Sequence, residues 1–84
     1  MRALVIFLLL LGAGRTLAAE ESADRQVAFG LKVAQKGLWQ EARFRFERAT
    51  QLEPSNASAP NNLAVALEQM GEFAEARQAY EKAL

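Results

Sequence analysis

From Ser22 onward the apolar positions recur with the 3.6-residue period of helices, and Gly and Pro interrupt them at regular intervals. Ser22 offers an N-cap, Val27, Gly30, Leu31 and Ala34 lie on neighbouring faces, and the pattern runs to Lys36 before Gly37, a residue suited to a left-handed cap. A second helix is expected from Trp39 to Leu52, with Ala42, Phe46 and Ala49 at spacings of four and three, ended by Pro54. A third starts with Ser58 as cap, runs through Leu63, Ala64 and Leu67 to Met70 and stops at Gly71. A fourth runs from Phe73 to Leu84. Pro60 falls in the first turn of the third helix, where backbone N–H groups lack intrahelical partners, so it does not break the helix.

Sliding the sequence against itself by 34 residues brings like onto like without a gap. Phe29 meets Leu63, Gly30 meets Ala64, Gly37 meets Gly71, and Trp39 meets Phe73. Glu41, Ala42 and Arg43 meet Glu75, Ala76 and Arg77, while Phe46, Glu47 and Ala49 meet Tyr80, Glu81 and Ala83. The small residues Gly30/Ala64, Ala42/Ala76 and Ala49/Ala83 let paired helices approach closely. Phe29/Leu63, Trp39/Phe73 and Phe46/Tyr80 are the expected knobs, each worth roughly 1.5–3 kcal/mol when buried.

The first nineteen residues are of another kind. Met1-Arg2 bring a positive charge, Ala3 to Leu11 are unbroken apolar, and Thr16-Leu17-Ala18 supplies a small-x-small site. This reads as a secretory signal peptide cleaved after Ala18, or else after Ala19. The competing reading is an inner-membrane anchor over residues 3–19, although a bilayer span takes about 20 apolar residues and Arg15 interrupts the run.

Composition narrows the chemistry. Ten Lys+Arg balance ten Asp+Glu, and the 84 residues contain neither His nor Cys. A Ser-His-Asp or Cys-His nucleophile, a zinc site of the usual ligands and a disulfide are all excluded, and no catalytic residues, cofactor or metal are expected. Interspersed charges of both signs argue against nucleic acid as a partner. Arg43, Arg45 and Arg48 stand near Glu41 and Glu47 at helical spacing, which reads as solvated ion pairs rather than a basic patch.

Period and spacing together resemble the tetratricopeptide repeat family, whose pattern is W-x2-L-G-x2-Y, then A-x3-F, then P. In the first unit the pattern falls on Gln26, Phe29, Gly30, Val33, Ala42, Phe46 and Pro54; in the second it falls on Pro60, Leu63, Ala64, Leu67, Ala76 and Tyr80. Both units lack the initial Trp and carry aliphatic residues in place of its Tyr. The resemblance implies an all-α fold of tandem helix-turn-helix repeats, an α-solenoid. The expected organisation is a signal peptide over 1–18, a linker over 19–22, a first repeat over 23–56 and a second, truncated repeat over 57–84.

The resemblance further implies a concave groove lined by the first helix of each unit, which binds a peptide or helix of another protein. Its candidate residues are Val27, Leu31, Ala34 and Gln35 on the first helix and Asn61, Asn62, Val65, Glu68 and Gln69 on the third. Of the Lys, Arg and Asn side chains with which some family members hold a C-terminal carboxylate, only Asn62 is matched. The function implied is an exported interaction module, a scaffold or assembly adaptor of the bacterial envelope, periplasmic or secreted. The alternative is structural self-assembly of this chain as a homodimer. Two helix pairs make a small core, so either a longer repeat array or a dimer is expected to cover the open end.

Overall fold

The computed structural model describes residues 21–84; the expected signal peptide or anchor and the first half of the linker lie outside the described residues. Four helices follow in order: α1 (Ala23–Gln35), α2 (Trp39–Leu52), α3 (Ser58–Gln69) and α4 (Phe73–Ala83). They form two helical hairpins, α1 on α2 and α3 on α4, joined by packing of α2 on α3 and a thinner contact between α1 and α3. Among the described residues no helix is long and apolar enough to cross a membrane.

The chain makes both hairpins with the same turn. Gly37 and Gly71 have φ of 77° and 78°. Ahead of them, Gly37 N donates to Ala34 O at 2.9 Å and Leu38 N to Val33 O at 3.0 Å; one period later Gly71 N donates to Glu68 O at 3.0 Å and Glu72 N to Leu67 O at 2.8 Å. This double bond pattern satisfies the last carbonyls of the helix and requires a left-handed residue, which glycine supplies without a Cβ clash. Glu41 and Glu75 then occupy the first turns of α2 and α4, where negative charge suits the helix N-terminus.

At the start of α1, Ser22 caps as expected, its Oγ accepting from Arg25 N at 3.2 Å. At α3 the expectation is corrected. Ser58 is already helical, Ala57 before it has α-helical dihedrals, and the side-chain acceptor is Asn56, whose Oδ1 takes Ser58 N at 3.0 Å. Ser58 Oγ instead accepts from Asn62 Nδ2 at 3.3 Å.

Alanine and glycine set the closeness of the packing. Ala42, Ala49, Ala59, Ala64 and Ala66 are inaccessible, and Phe46 is only 2% exposed. A Cβ added to Gly30 would lie 2.5 Å from Phe46 Cε1, so this crossing admits the ring only because the residue beneath has no side chain. Val33, Ala42 and Phe46 gather with Ala66 of α3; Ala23 and Ala49 gather with Ala59 of α3; and Ala64, Leu67, Ala76 and Ala79 form the core of the second hairpin. The first two clusters cross the hairpin boundary, and Leu63 packs against both the first and the last.

Two expected knobs are not buried. Phe29 is 45% exposed and Phe73 69% exposed, whereas their period mates Leu63 and Trp39 are half-buried. Leu63 is covered because α2 lies against it, and Trp39 because Ala66 of α3 packs into its cluster. Phe29 on α1 and Phe73 on α4 instead face the outer sides of the two hairpins.

Candidate functional site

Where α1 and α3 run alongside each other over α2, a hollow of about 230 Å³ opens. Leu31, Ala34 and Gln35 line it from α1, Asn62 and Val65 from α3, and Trp39 and Phe46 of α2 form its floor. Pockets for whole small molecules usually run to about 300–1,000 Å³, so this one has room for an anchoring side chain rather than a cofactor. No charged residue lines it. Gln35 and Asn62 give it two amide groups, which can both donate and accept hydrogen bonds.

The remaining candidates disperse. Val27 is half-buried and packs against two core clusters. Asn61 lines a second hollow with Ser58, Tyr80 and Ala83 near the start of α3, which Asn62 borders as well. Glu68 faces the outer side of α4, beside Phe73 and Tyr80. Gln69 is exposed. Trp39 and Phe46, absent from the candidate list, are the floor. Their helical spacing marked them as packing residues, and nothing in a linear pattern separates a ring that is sealed on every side from one that also meets a cleft.

Charged side chains keep to the rim and outer faces. Arg43 Nε bonds Glu47 at 2.8 Å and its Nη2 reaches Glu75 of the next hairpin at 3.5 Å; Arg45 Nε bonds Glu41 at 3.1 Å. The hydrogen bond from Arg43 to Glu47 raises the guanidinium pKa further above its ordinary value. Arg48 pairs with Glu21, and that hydrogen bond holds the Glu21 carboxyl below the usual carboxylate range. Arg45 also lies over the Phe29 ring, 4.2 Å from its centroid, and 5.5 Å from that of Phe44. Phe29 and Phe44 thus stay exposed but each has a cation near its ring. On α4 the Tyr80 phenol is pushed above its ordinary value by its hydrogen bond to Glu68.

No curated protein matches the chain. The sequence profile described as tetratricopeptide repeat matches residues 33–84, more than half of the chain, and it spans the whole of α2, α3 and α4 and the glycine turns between paired helices. Paired antiparallel helices of one period, turned by left-handed glycines and nested on small residues, agree with that match. The chain belongs to the tetratricopeptide repeat family.

Proposed function

We propose that the chain is an exported protein-interaction module, a scaffold or assembly adaptor of the bacterial envelope, that holds a partner segment across the α1–α3 face with one apolar side chain seated over Trp39 and Phe46. Membership of a family of interaction repeats supports a binding role rather than turnover. The observation that carries the reading is the uncharged hollow floored by two aromatic rings, because a desolvated aromatic pocket is where an anchor side chain gains most. With no Lys or Arg among its lining residues, the site favours a neutral internal segment over a free C-terminal carboxylate. Export rests on the charged start, short apolar run and small-x-small site of residues 1–18.

Selection of a random peptide library on the purified chain tests the groove. Enriched peptides should share one Leu, Met or Phe anchor, and Val65→Arg should weaken them by more than about tenfold. Selection of peptides that depend on a terminal carboxylate, or binding indifferent to Val65→Arg, would remove this assignment. For export, a C-terminally tagged chain should appear in the periplasm or medium with a mature N-terminus at Ala19 or Glu20; a full-length chain in the membrane fraction would favour the anchor.

A further inference from the structure

The repeat lets one half of the molecule serve as a template for the other. In the first hairpin the Arg45 guanidinium lies over Phe29, 4.2 Å from the ring centroid, donates to Glu41 at 3.1 Å and reaches Gln26 at 3.4 Å. One period later Phe29 becomes Leu63, Glu41 becomes Glu75 and Arg45 becomes Ala79. The apolar floor and the carboxylate are kept, but the side chain between them shrinks to a methyl group.

The second hairpin accordingly has a cleft of about 390 Å³ at this place. α3 supplies its floor with Leu63 and Leu67, α4 one wall with Glu75 and Ala79, and α2 the other with Glu47 and Thr50. The backbones of α2 and α4 are not in contact across it. The cleft thus lies between the two hairpins rather than at an end of the pair. It shares no lining residue with the hollow over Trp39 and Phe46.

Its charges select the occupant. Arg43 bonds Glu47 at 2.8 Å and Glu75 only at 3.5 Å, and the Glu75 side chain stays half open to solvent. The Glu47 hydrogen bond, and after it the charges of Glu47, Glu75 and Glu72, hold the Arg43 pKa above its ordinary value. One guanidinium therefore answers three carboxylates, and this end of the cleft is net negative. At the other end Lys82 follows Glu75 by two turns of α4, about 10 Å at 1.5 Å per residue. An arginine suits the first end, because its planar fork can meet two carboxylates while its methylene stem covers apolar surface. Lys82 keeps a second cation from the far end and favours a carboxylate there.

We propose that the cleft between α2 and α4 binds an arginine of a partner protein, its guanidinium on Glu75 and Glu47 and its stem over Leu63, as Arg45 lies over Phe29 within the chain. An Asp or Glu about three residues along an extended partner segment reaches Lys82. The site is separate from the groove between α1 and α3, so one segment can be held on each.

Selection of a random peptide library on the Val65→Arg chain, whose groove is blocked, tests this, with the enriched peptides titrated calorimetrically. They should share one Arg, and its replacement by Gln should weaken them by more than about tenfold. Glu75→Gln in the chain should weaken them by about threefold to fivefold. Arg43→Gln breaks the same tie between the hairpins but releases the carboxylates, so it should tighten binding by about twofold or more. Shifts in the same direction would overturn the proposal, since both variants would then act through the tie alone. Ala79→Arg, which supplies the arginine from within the chain as Arg45 does, should keep the helical circular dichroism and abolish binding. Binding indifferent to Ala79→Arg, or a selection that enriches no common Arg, would equally remove the assignment. So would self-association in sedimentation that Ala79→Arg abolishes, by giving the cleft to a second copy. Where Ala79→Arg fails to fold, the opposed pair Glu75→Gln and Arg43→Gln decides by itself.

Discussion

Glycine serves two unlike purposes here. At Gly37 the space around a new Cβ is empty within 4 Å and only the left-handed backbone resists a side chain; at Gly30 the backbone is helical and the Phe46 ring is the obstacle. Gly37→Ala should therefore cost about 1 kcal/mol of conformational strain. Gly30→Ala should cost about 1–3 kcal/mol, because the Phe46 ring packs directly on Gly30 and, at 2% exposure, has little room to move. Thermal melts followed by circular dichroism should rank Gly30→Ala below Gly37→Ala. Ion-pair spacing alone leaves Arg45→Ala nearly silent, yet its guanidinium stacks on Phe29. Urea denaturation should register a loss of about 0.5–1 kcal/mol. That stack was not legible in the sequence: it joins residues sixteen apart whose period mates are Leu63 and Ala79, so no repetition marks it. Tyr80 gives a pH signature. Its phenol is raised above 10.0 by Glu68, so the stabilisation from this hydrogen bond is complete below the unfolded value and fades as pH rises through the folded one. Phenolate absorbance should titrate later in the wild type than in Glu68→Gln.

At the scale of elements, α2 begins and ends where the pattern of apolar residues, glycine and proline put it, at Trp39 and Leu52. Those ends are fixed by local chemistry: a glycine that alone tolerates positive φ, and a proline that disfavours helix in the residue before it. The start of α3 was less legible. Asn56 and Ser58 are both good caps, and only the dihedrals of Ala57 decide that the helix has begun by then. Asn56→Ala should lower stability by about 1 kcal/mol and Ser58→Ala by clearly less, measured as the shift of the denaturation midpoint. The same limit applies to the groove. The family resemblance implied nine groove residues, of which Leu31, Ala34, Gln35, Asn62 and Val65 line one hollow. It placed Val27, Asn61, Glu68 and Gln69 on that face too, because a geometry carried over from a family resolves direction only to within a residue or so and knows nothing of what lies beyond the hairpin.

Across the whole molecule the two hairpins are alike in backbone and unlike in surface. One outer side carries Arg45 beside the exposed Phe29 and Phe44 rings and Arg48 paired with Glu21, while on the other Phe73 stands exposed. Between the hairpins, the apolar seam of Leu63, Ala66 and Ala59 is supplemented by a polar tie, Arg43 to Glu75 at 3.5 Å, with both side chains partly open to solvent. The seam sets how near the hairpins lie, and the tie restrains how far one can roll over the other. Residues of both hairpins line the hollow above Trp39 and Phe46, so a roll of one over the other would change its mouth. Since salt at about 1 M screens charges beyond about 3 Å, ligand affinity should drift with ionic strength even though the cleft itself is neutral. Replacing Glu75 by Gln should flatten that drift in a salt series. Electrolyte would thus act on the aperture through its hinge, as a tuning screw placed outside the chamber it adjusts.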